Sequence, residues 1–282
     1  LGECAPLPDL SADYSDDYEA RLRALCQQVE QEQGFDAEAL RHVPSMLFGL
    51  QTAFRSAAGS LAGDYLRLYP SRFAQGLEGL RINGLVWMGN FEEMQRRMDE
   101  KLDASFGCVK LKIGAIDFDS ELALLRRLRG RYSAADVELR VDANGAFSPA
   151  EAPARLEALA RFSLHSIEQP IKQGQWEEMA ALCRTSPLPI ALDEEMIGVH
   201  ETAEKQRLLD TIRPHYLVLK PSLHGAFTGC AEWMSLARER GIGYWVTSAL
   251  ESNVGLNAIA QWTAATAEAQ ATPDAPPLMP QG

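Results

Sequence analysis

The sequence predicts an α/β protein built around a (β/α) barrel. Three observations carry that expectation. From Ile82 onward, short apolar runs alternate with amphipathic helical stretches, the signature of repeated βαβ units and a parallel sheet. Neither a GxGxxG turn nor a P-loop occurs, and Gly241-Ile-Gly243 precedes a strand rather than a helix, which favours a barrel over a doubly wound sheet. Successive apolar runs also end in ionisable residues at near-constant intervals, as barrel enzymes require of residues meeting at one mouth.

Residues 1–80 read differently from the rest. Leu1–Ser15 is loop-like. Tyr18, Leu22, Leu25 and Val29 recur at helical spacing within Asp16–Glu32. A second helix starts with Pro44 in its first turn and runs through Leu47, Leu50 and Phe54. This is a small, mainly helical domain.

The barrel occupies 81–265. Its expected strands are Ile82–Met88, Val109–Ile113, Val137–Val141, Leu164–Ile167, Ile190–Leu192, Tyr216–Leu219 and Tyr244–Val246. Between them, Leu122, Leu125 and Leu128 form a helical stripe that ends at Gly130. Ser148-Pro149-Ala150-Glu151 reads as a capping box with Pro at the first helical position. Met234 and Ala237 mark a further helix before Gly241. Residues 266–282 are Pro/Ala-rich and read as a loop leading toward an eighth strand beyond Gly282.

Composition excludes several classes. The 282 residues carry a net charge of −12, which disfavours nucleic-acid and membrane-surface partners because few cations remain to neutralise phosphates. No apolar run is long enough to span a bilayer. Five scattered cysteines without a CxxC pair argue against a disulfide framework or zinc site and fit a reducing cytoplasm. Oligomeric state is not legible.

The residues closing the strands are Lys112, Asp142, Glu168, Asp193 and Lys220, at spacings of 30, 26, 25 and 27. Each interval accommodates one strand, one helix and two loops. Three carboxylates converging in a buried mouth repel one another unless a cation lies between them. An all-oxygen set suits a hard ion, hence Mg²⁺, with Mn²⁺ as a substitute. Lys110 and Lys112 are two apart and so share a strand face; if that face turns inward, two adjacent ammoniums lower each other's pKa, which suits a base. The alternative places both lysines in water with Leu111 and Ile113 inside. Asn144 lies on the Asp142 face if the strand extends that far, and Glu194 is placed to orient a lysine. A metal beside a base suits removal of a proton from the carbon next to a carboxylate.

The order Lys-x-Lys, Asp, Glu, Asp, Lys resembles the enolase superfamily, whose known chemistry pairs a Lys base with Mg²⁺. Within it, the chain resembles the o-succinylbenzoate synthases of the menaquinone pathway. The matching segments are Val109-Lys-Leu-Lys-Ile-Gly114, Val141-Asp-Ala-Asn-Gly145, Ile167-Glu-Gln-Pro170, Ala191-Leu-Asp-Glu-Glu195, Leu219-Lys-Pro-Ser222 and Ser248-Ala-Leu-Glu-Ser-Asn-Val-Gly255. Gly84-Leu-Val-Trp-Met-Gly89 carries much of the synthase likeness. Gly2-Glu-Cys-Ala-Pro6 and Pro44-Ser-Met-Leu-Phe-Gly49 resemble the family's capping domain.

The resemblance implies an enolase-type barrel with a partial α+β capping domain over 1–80. It implies Asp142, Glu168 and Asp193 as Mg²⁺ ligands and Lys112 as the base that starts a syn dehydration. Lys220 would stabilise the enediolate and Lys110 would tune Lys112. Backbone groups around Ser248–Ser252, with Ser248, Glu251 and Ser252 binding or supporting, would hold the succinyl carboxylate of a small-molecule substrate. Two alternatives remain: an N-succinylamino-acid racemase or dipeptide epimerase on the same barrel, and a barrel that only binds.

Overall fold

The computed structural model describes residues 1–271 and 279–282. Seven parallel strands form one sheet in chain order: β1 Gly84–Val86, β2 Cys108–Lys112, β3 Glu138–Asp142, β4 Ser166–Glu168, β5 Ile190–Leu192, β6 Tyr216–Leu219 and β7 Gly243–Val246. Helices follow the strands: α3 Phe91–Asp103, α4 Phe118–Arg131, α5 Ala152–Ala160, α6 Trp176–Thr185, α7 Thr202–Ile212, α8 Ala226–Glu239 and α9 Asn253–Gln270. Two helices precede the sheet, α1 Tyr18–Glu32 and α2 Pro44–Leu61, and residues 1–80 contain no strand. The α+β character expected of this segment is therefore not seen in it. No helix among the described residues is long and apolar enough to cross a membrane.

The sheet curls until its edges approach. Gln281 bridges Ile82 in parallel, and its carbonyl accepts the Asn83 N–H at 2.7 Å. Gly282 N–H donates to Val246 O at 3.0 Å on the other edge. Residues 281–282 thus lie between β7 and β1, where an eighth strand of a barrel runs. Below the mouth, the fully buried Arg140 donates to Pro280 O at 2.9 Å, and its guanidinium lies 4.2 Å from the Trp245 ring centroid.

Strand register decides which side chains face inward. Lys110 pairs with Arg140, Lys112 with Asp142, and Asp142 with Glu168. Paired residues share a sheet face, so these form inward rows. Leu111, Ile113, Val141 and Ile167 face the other way, into the core under the helices. Burying each such side chain contributes roughly 1.5–3 kcal/mol. The outward-lysine alternative is thereby excluded: water lies on neither face of β2, and the apolar residues claim the helix side.

Several expected boundaries move. Gly130 lies inside the last turn of α4, which ends at Arg131, and the buried leucines are Leu124, Leu125 and Leu128, with Leu122 only partly covered. Ser148 and Glu151 do exchange hydrogen bonds, Ser148 Oγ to Glu151 at 2.6 Å, but they close a turn ahead of α5 rather than cap it. α9 continues to Gln270, past the expected loop start at 266, and 272–278 lie outside the described residues. β1 stops at Val86 because the Trp87 and Met88 carbonyls are taken by the Arg97 guanidinium at 3.0 and 2.6 Å.

Candidate active site

The five charged strand ends meet. One oxygen each from Asp142, Glu168 and Asp193 lies within 4.8 Å of the others, and all three residues are fully buried. Lys110 Nζ donates to Glu168 Oε2 and lies 3.0 Å from Asp142 Oδ2. Lys112 Nζ donates to the same Asp142 oxygen at 2.6 Å and to Asn144 Oδ1 at 2.8 Å. From β6, four strands away, Lys220 Nζ donates to Asp193 Oδ2 at 2.5 Å. Asn144 Nδ2 in turn donates to Glu194 Oε1 at 2.7 Å, so these two expected residues also belong to the cluster.

The ammoniums change the electrostatic argument drawn from sequence. Repulsion among the carboxylates does not by itself demand a metal, because each has a lysine beside it. Burial raises the Asp142 carboxyl, but Lys110 and Lys112 outweigh it and hold the group well below the usual carboxylate range. Burial wins at Glu168, whose carboxyl is pushed up to about 7 against the pull of Lys110. Burial also opposes charge on Lys110, yet Asp142 and Glu168 together hold its ammonium above the ordinary lysine range. The mutual lowering expected of Lys110 and Lys112 is therefore reversed at Lys110. Lys220 is raised as well: Asp193 and Glu194 overcome its burial.

A stronger pointer to a cation is unsatisfied oxygen. Glu168 Oε1, Asp193 Oδ1 and Glu194 Oε2 are buried without a hydrogen-bond partner. Such atoms cost about 1–3 kcal/mol each, more when charged. A hard divalent ion held by Asp142, Glu168 and Asp193 would satisfy the first two, and the all-oxygen donor set fits Mg²⁺.

The three residues expected to surround a carboxylate arm fall apart into different roles. Glu251 accepts from Ser222 Oγ at 2.5 Å and Ala249 N–H at 2.6 Å, tying the loop after β7 to the loop after Lys220. Ser252 caps α9 and is already occupied by a carboxylate of this chain. Glu3 accepts Ser252 N–H at 2.6 Å, Ser252 Oγ–H at 2.6 Å and Gly255 N–H at 2.7 Å. The Ser252 donors are thus spent on Glu3. Ser248 is half-buried in the loop after β7.

This clasp leads to a first expected result. Glu3→Ala leaves the Ser252 and Gly255 amides without their acceptor, a loss of about 2 kcal/mol for charge-assisted bonds at a half-exposed site. Amide hydrogen exchange should accelerate at Ser252 and Gly255 while β3 and β4 stay protected. Unchanged exchange at both amides would show that Glu3 does not hold this turn.

Sequence reasoning gave no role to three residues near the centre. Gln169, with a left-handed φ of 36°, turns its amide under Asp193 and accepts the N–H groups of Asp193 and Glu195, both at 3.2 Å. Its Nε2 donates to Glu195 Oε2 at 3.0 Å. His224 Nδ1 accepts the Lys220 N–H at 3.0 Å, and burial lowers its pKa to about 3, so it stays neutral. Trp87 lies beside Lys112, whose Nζ is 5.5 Å from its ring centroid. The available signals were position alone: one residue past Glu168, four past Lys220, and one past β1.

Known proteins resemble this chain in sequence and in fold. A sequence model of the family described as enolase C-terminal domain-like matches residues 93–278. The o-succinylbenzoate synthase of Desulfotalea psychrophila strain LSv54 is 53% identical over 239 residues, covering 85% of this chain and 61% of that protein. The chain thus spans about three fifths of the length of that curated relative. The crystal structure of MenC from Desulfotalea psychrophila LSv54 superposes with a TM-score of 0.74 at 43% identity, covering 100% of this chain and 83% of that one. The o-succinylbenzoate synthase of Thermosynechococcus elongatus BP-1, solved with Mg in its active site, superposes with a TM-score of 0.69 at 28% identity, covering 92% of this chain and 75% of that one.

Proposed function

Because the chain belongs to the enolase C-terminal domain-like family, we propose that the whole protein is a Mg²⁺-dependent o-succinylbenzoate synthase. It would dehydrate 2-succinyl-6-hydroxy-2,4-cyclohexadiene-1-carboxylate to o-succinylbenzoate. The observation that carries the reading is the convergence of Asp142, Glu168 and Asp193 between lysines on opposite strands.

Asp142, Glu168 and Asp193 would hold Mg²⁺, with Mn²⁺ as a substitute on the same oxygen set. When bound, the ion supplies positive charge where the substrate carboxylate gathers electrons. Lys112 must first shed a proton and its bond to Asp142; Asn144 Oδ1 still accepts from the neutral amine. The amine takes the proton from C1, and the C–H electrons move into the carboxylate to give the enediolate. Lys220, across the mouth, stabilises that charge. The electrons then return to form the ring double bond as the C6–O bond breaks. Lys112, now an ammonium, protonates the departing hydroxide to water. One base serves both steps, so hydrogen and hydroxyl leave from the same face. Lys110, held by Glu168 and Asp142, keeps the neighbouring carboxylates in place and tunes Lys112 through them.

Residues 1–80 are proposed to form part of a capping domain that reaches the mouth through Glu3. Five free cysteines fit a cytoplasmic location. The decisive assay follows the cyclohexadiene substrate by absorbance with Mg²⁺ and with EDTA. Metal-dependent aromatisation by the full-length protein is the expected result. Absence of turnover with Mg²⁺ bound rejects the synthase reading. Racemisation of N-succinyl amino acids is the second reading, favoured by one feature: Lys112 and Lys220 approach from opposite sides, as two-base proton exchange requires.

A further inference from the structure

The chain holds five tryptophans, and one is out of place by burial. Trp233, Trp245 and Trp262 are 0%, 1% and 7% exposed and Trp176 is partly buried, whereas Trp87 is 47% exposed. It follows β1, where Leu85 pairs with Lys110, so Trp87 continues the inward row level with Lys112. Its ring centroid stands 5.5 Å from Lys112 Nζ.

The surrounding chain keeps it there. Arg97 Nη1 holds the carbonyls of Trp87 and Met88 at 3.0 and 2.6 Å. Gly89 permits that approach, since a Cβ there would lie 2.6 Å from Glu93 Oε2 and 2.8 Å from Arg97 Nη1. Asn90 and Glu93 then close a capping box on α3. A large apolar face is thus fixed, half in solvent, beside the reacting amine.

We propose that Trp87 is a specificity-determining residue whose indole forms the wall against which the flat substrate ring stacks. The inference rests on the dehydration reading. A carbon to be deprotonated must come within about 3–3.5 Å of Lys112 Nζ. With the indole 5.5 Å from that nitrogen, the ring carrying the carbon falls within van der Waals reach of it. Stacking strengthens as the cyclohexadiene flattens to an arene, so the wall favours aromatisation. A flexible N-succinyl amino acid offers no such ring and gains little.

The test uses W87F and W87L in the full-length, Mg²⁺-loaded protein. W87L should raise KM for the cyclohexadiene about tenfold, with a smaller fall in kcat. Deuterium exchange into an N-succinyl amino acid should change by less than about twofold, a factor small beside that loss. W87F should recover most of the lost KM. Titration with o-succinylbenzoate should quench tryptophan emission in the wild type, and the quench should vanish in W87F. An unchanged ratio of the two activities in W87L overturns the inference. So does a quench that is absent, or equal in wild type and W87F. Wild-type protein that aromatises nothing rejects the synthase reading separately, and the quench then still decides the place of Trp87.

Discussion

Lys112→Ala is expected to lower kcat/KM for dehydration by about 10³–10⁴-fold, the upper part of the range of about 10²–10⁴-fold that a positioned general base or acid contributes. The upper end is favoured because one amine would perform both proton transfers. The fold should survive the change. Lys110 remains 3.0 Å from Asp142, so the buried carboxylate keeps a cationic partner. Removing every partner of a buried charge costs about 3–5 kcal/mol, but here only one of two is lost. Matching thermal unfolding of wild type and variant would establish that. The discriminating measurement is proton exchange from N-succinyl amino acids in D₂O. If Lys112 is the base on one face only, the variant still exchanges the enantiomer presented to Lys220. Retained dehydration in Lys112→Ala would remove Lys112 as the base.

The parts of the site that could be read ahead of the structure share a physical origin. Lys112, Asp142, Glu168, Asp193 and Lys220 each end a strand, and a parallel barrel delivers every strand end to the same face. One-dimensional spacing therefore carried three-dimensional information. The face of β2 could not be read, since Lys110 and Lys112 alternate with Leu111 and Ile113 and both faces of a barrel strand are covered. Pairing with Arg140 and Asp142 decided it. Residues contributing through a turn were also hidden. Gln169 acts from a left-handed backbone conformation beside a proline, and His224 acts through a backbone amide. The partner of Ser252 was hidden for a related reason. A helix N-terminus with a serine cap is a sound place for a carboxylate, but the carboxylate came from Glu3, nearly the whole chain away. Such long-range partners leave no local pattern.

Addition of Mg²⁺ is expected to stabilise the wild-type protein and leave Glu168→Gln almost unmoved. At a concentration a hundredfold above Kd the gain is about 2.7 kcal/mol, or roughly 5–10 °C in Tm for a chain of this size. Glu168→Gln is the informative variant because it removes charge and the unpartnered Oε1 carboxylate oxygen while keeping the side chain's shape. The size of the shift depends on charge balance. Asp142, Glu168, Asp193 and Glu194 face Lys110, Lys112 and Lys220, so four carboxylates meet three ammoniums. With all of them ionised the cluster is close to neutral, and a divalent ion alone must compete with the lysines for the charge of the same carboxylates. A substrate or product bearing two carboxylates restores the balance that the ion disturbs. Metal and dicarboxylate should therefore bind with positive coupling, and by linkage each strengthens the other equally. The expected result is a Tm shift with Mg²⁺ and o-succinylbenzoate together that exceeds the sum of the separate shifts. Strictly additive shifts would mean that the lysines, rather than the ligand, balance the metal's charge. In that case Lys110 and Lys112 would keep their carboxylate partners in the loaded enzyme, and Lys112 would not be free to act as the base.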